Sequence, residues 1–192
     1  MTPAELSAAV IAAIGTGEAS ESGGGRWARA TVDVPPDRWA DALQAARDTL
    51  SCDFFDWLSA VDELPGGFTI VAHVWSTARR HGLLLRTPLP RENPSVASVV
   101  PLYPGAAWHE RETHEMFGIA FEGPLELVPL LLPPEFEGHP LRKEFVLASR
   151  VAKPWPGAKE PGESEHGTGK RAPMRPPGVP AAGEWPAQGG AG

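Results

Sequence analysis

Three apolar runs joined by short connections place the strongest constraint on the fold of this chain. Residues 54–61 and 68–75 are rich in aromatic and β-branched side chains, and Pro65-Gly66-Gly67 forms a turn between them. A third run, residues 83–89, follows a polar connection at 76–82. Strands joined by so few residues lie antiparallel, because a parallel crossover needs a dozen or more. We therefore predict an α+β fold with helices layered on a mixed, largely antiparallel sheet.

The N-terminal third predicts two helices that flank a strand. Thr2 is placed to cap the first helix, with Pro3 at its first position and Glu5 returning to the cap amide. The stripe Leu6, Val10 and Ile14 leads to Gly15 as the helix end. Residues 15–25 are expected to form a loop and residues 27–34 a strand. A second helix is predicted to start near Pro36-Asp37 and to present one apolar face, formed by Trp39, Leu43, Ala46 and Leu50.

Composition excludes several classes of function. The chain has 192 residues and a net charge of −7, so it lacks the basic excess that neutralises nucleic-acid phosphates. The single cysteine, Cys52, can neither form an internal disulfide nor hold an iron-sulfur cluster. No apolar run approaches the roughly 18 residues of a membrane span, and the N-terminus lacks the basic region of an export signal. These features predict a cytoplasmic chain that reaches a membrane only through its partners.

The composition changes at the end of the chain. Residues 1–150 are predicted to form one α+β domain, whereas 17 of the 42 residues at 151–192 are proline or glycine. This segment is expected to be an extended, irregular arm without a core of its own. Two interpretations stay open: a disordered, solvated appendage, or a tether that wraps a neighbouring subunit.

Two blocks combine charged residues with apolar anchors. The first lies on a predicted helix at residues 106–117, closed by Gly118, with Trp108 expected to brace it; the second begins with the turn Gly138-His139-Pro140. Arg111 is four residues from Glu115, and Glu110 is four from His114, so each pair can interact along the helix. The blocks can be read as a salt-bridged, solvated surface or as a face whose charges find partners across a subunit boundary.

A catalytic or metal-binding role for the first block fails on spacing. His109 and His114 superficially resemble a zinc-protease motif, but that motif requires two histidines four residues apart on one helix face. Here they are five apart, about 140° around the helix. Glu110 and Glu112 also point to different faces, which argues against a paired acid and base. We predict no catalytic, cofactor-binding or metal-ligating residue in this chain.

The two blocks together resemble the signature of the 30 kDa subunit family of respiratory complex I, the proton-translocating NADH-quinone oxidoreductase. The resemblance spans approximately residues 30–146. It implies a peripheral-arm subunit on the cytoplasmic side of the cell membrane. It also implies that this subunit docks on the larger quinone-site subunit and on other peripheral-arm subunits. NADH, FMN, iron-sulfur clusters and quinone would then belong to partner subunits. The residues carried over as a subunit interface are Glu110, Arg111, Glu112, Glu115, Phe117, Gly118, Gly138, His139, Pro140, Leu141, Arg142 and Lys143.

The passage between the blocks departs from the family pattern. The family usually continues with Gly-His-Pro-Asp-Leu-Arg-Arg, whereas residues 121–129 of this chain lack the histidine and both arginines. Losing bidentate arginines implies an altered partner surface. The sequence therefore indicates a divergent family member. Two alternatives remain: the equivalent subunit of a related membrane-bound hydrogenase or other-donor dehydrogenase, or a free-standing interaction protein that retains the fold.

Overall fold

The computed structural model describes residues 1–124 and 126–146. This part of the chain contains three helices, seven strands and two 3-10 turns. The helices are α1 (Pro3–Ile14), α2 (Trp39–Leu50) and α3 (Ala106–Phe117). The strands are β1 (Glu18–Ser22), β2 (Arg29–Asp33), β3 (Phe54–Asp62), β4 (Gly67–Ser76), β5 (His81–Pro90), β6 (Ser95–Ala97) and β7 (Ala120–Glu122). The predicted arm at residues 151–192 lies outside the described residues.

The main sheet has five strands in the order β1-β2-β5-β4-β3. Strands β3, β4 and β5 form two consecutive antiparallel pairs, as their short connections predicted. Strand β2 runs parallel to β5, since the intervening chain crosses over through α2 and two further strands. The prediction of an α+β fold on a mixed, largely antiparallel sheet is confirmed.

The predicted loop at residues 15–25 is wrong in its middle. Residues Glu18–Ser22 form strand β1, which pairs antiparallel with β2 at the sheet edge. Four of its five residues are exposed and none is buried, so the segment lacks the apolar alternation that would have predicted a strand. The following strand starts later than predicted, at Arg29, because Gly25–Trp27 forms a 3-10 turn.

The core lies between the sheet and the helices α1 and α2. The capping box predicted for α1 is present: the Glu5 amide donates to Thr2 Oγ1 and the Thr2 amide donates to the Glu5 carboxylate. The predicted apolar faces of both helices are buried, and Trp39 is fully enclosed. No helix in residues 1–124 or 126–146 has the length and apolar character that crossing a bilayer requires.

Helix α3 is placed by a second, smaller sheet and by the edge of the first. It connects the parallel strands β6 and β7, and it packs against β3, the edge strand of the main sheet. Its predicted bounds, residues 106–117, are confirmed. This position brings the first charged block beside the end of β3 and beside the segment at residues 126–146, which carries the second block.

Candidate functional site

The second block caps the C-terminal end of helix α3. A helix leaves its last four carbonyl groups without partners inside the helix. Here the amide of Gly118 donates to His114 O, and residues of the second block satisfy the next three carbonyls. The donors to Glu115 O, Met116 O and Phe117 O are His139 Nδ1 at 2.8 Å, the Leu141 amide at 3.1 Å and Arg142 Nε at 2.6 Å, respectively. The two blocks of the sequence signature are therefore one structural unit.

Gly118 makes this junction possible. Its φ of +70° lies in the left-handed region that favours glycine. A Cβ atom at this position would lie 2.4 Å from His139 Nε2 and 2.7 Å from an Arg142 Nη nitrogen. Because both side chains are hydrogen-bonded to the end of α3, neither can withdraw without losing its bond. We refer to residues 138–143, seated against Gly118, as the cap segment.

Arg111 and Glu115 hold a second segment of the chain, residues 128–131, which we call the strap. The Arg111 guanidinium donates to the carbonyls of Val128 at 3.0 Å and Pro129 at 2.8 Å. The Glu115 carboxylate accepts from the amides of Leu130 at 2.5 Å and Leu131 at 2.8 Å. Instead of the predicted pairing of Arg111 with Glu115, the cation binds carbonyls of the strap and the anion binds its amides.

The environment of Glu115 favours its ionised form. Burial alone would raise its pKa, but the amides of Leu130, Leu131 and Leu132 and the positive charge of Arg111 together lower it below the ordinary value. The strap contacts therefore contribute stability above the pKa of an unfolded glutamate, and that contribution is lost as the pH falls through the lower, folded pKa.

We expect Glu115→Gln to release the strap. A neutral amide retains one acceptor oxygen, so one of the charge-assisted bonds is lost and backbone hydrogen exchange at Leu130 and Leu131 should quicken roughly tenfold or more. Mass-spectrometric hydrogen exchange on the whole chain measures this. The matched control is Glu112→Gln, because Glu112 is an exposed glutamate on the same helix. Equal exchange in the two variants would contradict the assignment.

Glu110 is enclosed inside the chain. Its side chain has 0 % exposure, and its carboxylate accepts from Ser98 Oγ and from the Val99 amide, each at 2.7 Å. Burial raises its pKa, and the two hydrogen bonds oppose that shift only in part. The predicted pairing of Glu110 with His114 is wrong, since His114 Nδ1 lies 2.8 Å from Ile119 O instead. Glu110 ties α3 to the chain that follows β6.

Asp62 and Arg91 complete the site, and the sequence did not identify either of them. Asp62 ends β3 with 4 % exposure, and it accepts from Arg91 Nη1 and from the Lys143 amide, each at 2.8 Å. Arg91 also contacts Glu144. The Arg91 hydrogen bond is the main cause of a lowered pKa at Asp62. The residues lie up to 81 positions apart, and only the register of β3, β4 and β5 brings them together.

The structure sorts the twelve predicted interface residues into two groups. Glu110 and Phe117 are buried, with Phe117 packed edge-on against Phe68 at 6.2 Å, so neither presents its side chain at a surface. Their predicted positions at an interface are corrected to internal ones. The others are exposed or half-buried: Arg111, Glu112, Glu115, Gly118, Gly138, His139, Pro140, Leu141, Arg142 and Lys143.

The exposed part of the site is apolar. Trp108 is 62 % exposed, so the prediction that it braces α3 from inside is wrong; its ring stacks on the Arg111 guanidinium, whose carbon lies 5.5 Å from the ring centroid. On the strap and the cap segment, Val128, Leu131 and Leu141 are 48–59 % exposed. We call these four side chains the apolar ridge. Each belongs to α3 or lies within two residues of a backbone group that α3 binds.

Comparison with known proteins agrees with the two blocks. A model of the respiratory-chain NADH dehydrogenase 30 kDa subunit matches residues 32–151. A subunit of the NADH-quinone oxidoreductase of Roseiflexus castenholzii is 42% identical over 123 residues, which cover 62% of this chain and 71% of that protein. A relative from Rhodopseudomonas palustris, whose name joins this subunit to a second one, is 46% identical over 79 residues. That match covers 41% of this chain and 14% of the joined protein.

Solved structures share the fold. A chain of an archaeal membrane-bound sulfane sulfur reductase, a respiratory membrane complex, superposes with a TM-score of 0.63 at 25% identity, covering 75% of this chain and 85% of the other. A trypsin-resistant fragment of Nqo5 superposes with a TM-score of 0.54 at 24% identity, covering 64% and 97%. With the family match over residues 32–151 and the two blocks joined at Gly118, the chain belongs to the 30 kDa subunit family of the respiratory-chain NADH dehydrogenase, the NADH-quinone oxidoreductase.

Proposed function

We propose that this chain is a non-redox docking subunit of the peripheral arm of a proton-translocating NADH-quinone oxidoreductase, and that the apolar ridge packs against the larger quinone-site subunit. The observation that carries the proposal is the contrast between the ridge and its support. Charged side chains of α3 are used inside the chain, whereas Trp108, Val128, Leu131 and Leu141 face outward. Exposed apolar side chains grouped on one element are typical of a protein interface.

The support of the ridge favours tight association. Arg111, Glu115 and the cap segment fix the strap backbone through hydrogen bonds, so the exposed side chains are already positioned before a partner arrives. A surface ordered in advance loses less conformational entropy on binding.

The relatives with joined names support the choice of a larger partner. In them this subunit and a second one share a single chain, so the two lie close together. The match covers only 14% of the joined protein from Rhodopseudomonas palustris, which leaves room for a second subunit larger than the first. A larger neighbour of this kind fits the quinone-site subunit that the proposal names.

The chemistry of this chain suits a role without redox centres. Cys52, its single cysteine, is buried, and burial raises the pKa of its thiol to about 11. We propose that NADH, FMN, iron-sulfur clusters and quinone are bound by partner subunits. The chain would then lie on the cytoplasmic side of the cell membrane through the complex alone.

A second candidate is the equivalent subunit of a membrane-bound complex that uses other electron donors or acceptors. The TM-score of 0.63 to the sulfane sulfur reductase chain favours keeping it. Both candidates use the same docking surface. The subunits that copurify from native membranes separate them, because only the first predicts a flavin-containing, NADH-binding subunit.

We expect the double variant Leu131→Gln/Leu141→Gln to bind the larger quinone-site subunit about 100-fold more weakly. Each leucine is expected to bury apolar surface worth roughly 1.5–3 kcal/mol when fully covered, and two such losses make a change of that size. Titration of the purified chain with that subunit measures the dissociation constant. The control is Leu64→Gln, because Leu64 is 49 % exposed and follows β3, away from the site. Unchanged binding in the double variant, or an equal loss in the control, would refute docking by the ridge.

A further inference from the structure

Arg142 is held in a fixed position by the site. Its Nε donates to Phe117 O at 2.6 Å, and its guanidinium carbon lies 5.2 Å from the centroid of the buried Phe68 ring. One of its Nη nitrogens passes close to Gly118, where a Cβ would lie at 2.7 Å. Three contacts on different sides leave the guanidinium little freedom to reorient.

Arg91 provides an internal comparison, because it contacts the same ring. Its guanidinium carbon also lies 5.2 Å from the Phe68 centroid, but its charge is balanced by two acids, Asp62 and Glu144. Arg142 is half-buried, yet within residues 1–124 and 126–146 no carboxylate lies within ion-pair distance of it. Its remaining N–H groups are therefore available to an acceptor from outside the described chain.

Both arginines open onto one recess. Its volume is about 440 Å³, and its wall includes Asn93, Pro94, Ser95, Gly118 and Ala120 in addition to Arg91 and Arg142. The hydroxyl of Ser95 donates to Glu122 at 2.6 Å, so among the described residues Arg142 is the cation in the wall without an acid beside it. The recess has room for an entering carboxylate side chain. It is also continuous with the proposed docking surface, since Leu141 of the apolar ridge directly precedes Arg142.

We infer that Arg142 is a receptor for a side-chain carboxylate, aspartate or glutamate, presented by the subunit that docks on the apolar ridge. This inference rests on the proposed function. A fixed guanidinium forms two parallel hydrogen bonds with a carboxylate, a geometry that lysine cannot reproduce. A half-buried cation also discriminates among partners, because desolvating it without a matching anion is costly. The ridge would supply affinity and Arg142 would fix the register of the complex.

The test measures binding of the larger quinone-site subunit by Arg142→Gln, Arg142→Lys and the control Arg29→Gln, which removes an exposed arginine from β2. We expect both Arg142 variants to bind roughly tenfold or more weakly than the wild type, with a smaller dependence on salt concentration, and the control to bind normally. Thermal melting of the chain alone corrects for the lost hydrogen bond to Phe117 O. A weakening that the melting of the isolated chain fully accounts for would overturn the inference.

Charge exchange gives the second arm of the test. Arg142→Glu should abolish binding, and replacement of one acid by arginine on the facing surface of the larger subunit should restore it. If no acid of that subunit restores binding, the carboxylate receptor is refuted. If the double variant of the ridge loses binding while the Arg142 variants do not, the proposed function stands and this inference falls. If only phosphatidylglycerol vesicles bind the chain in an Arg142-dependent way, the ligand is a lipid phosphate and the inference is again overturned.

Discussion

Gly118→Ala is expected to destabilise the chain by roughly 3 kcal/mol, part from the left-handed backbone and part from the clash with the cap segment. The added methyl group would lie 2.4 Å from His139 Nε2, whose ring cannot shift without losing its hydrogen bond to Glu115 O. The cap segment should therefore detach from α3. Urea unfolding measures the loss of stability, and hydrogen exchange at Leu141 measures the detachment.

Two other glycines separate the contributions. Gly15 ends α1 with a φ of +77° and has open space around it, so Gly15→Ala should show only the backbone cost of about 1–2 kcal/mol. Gly105 has a φ of −63° and also has open space, so Gly105→Ala should have almost no effect. If Gly118→Ala costs no more than Gly15→Ala, the close packing of the cap segment does not matter energetically.

Glu110→Ala should be the second large loss, about 2–4 kcal/mol. The substitution removes an enclosed acceptor and leaves the Ser98 hydroxyl and the Val99 amide without their partner, at about 1–3 kcal/mol for each unsatisfied group. Glu110→Gln keeps an oxygen for the Val99 amide and an amide group opposite Ser98, so it should retain most of the stability. Urea unfolding of both variants at one pH gives the comparison.

The pH dependence of the same pair reports the ionisation of Glu110. Because burial raises its pKa above the ordinary 4.5, the folded chain binds more protons than the unfolded chain between the two values. Stability from this residue is fully present below pH 4.5 and is lost as the pH rises through the folded pKa. Glu110→Gln should therefore gain stability relative to the wild type as the pH is raised. A difference that stays constant from about pH 4 to about pH 8 would contradict this assignment.

The local parts of the fold were predictable from the sequence. The capping box at Thr2, the apolar face containing Trp39 and the end of α3 at Gly118 all depend on residues within one or two helical turns of one another. Local spacing is enough to specify them, because helix periodicity and capping are properties of neighbouring residues. Strand β1 escaped prediction because its stability comes from pairing with β2 and its own side chains carry no pattern.

The candidate site was located but misread in detail. Helix spacing indicated that Arg111 would meet Glu115, since such pairs lie on one face. Both side chains instead bind the strap, 15–18 residues further along the chain, and Asp62 reaches Lys143 across 81 residues. Contacts of this kind depend on how separate elements come together, which a local pattern does not contain. The outward turn of Trp108 has the same origin, because burial of one helix face is decided by what packs on it.

The strap is recognised through its backbone alone, and this makes its sequence free to drift. Arg111 and Glu115 contact carbonyl and amide groups of residues 128–131, which every amino acid supplies except for the missing amide of proline. The family histidine and arginines absent from residues 121–129 can thus be lost while these hydrogen bonds remain. Substitutions between the blocks should accumulate at little cost to folding, and each lineage can reshape its outer surface to suit its own neighbour.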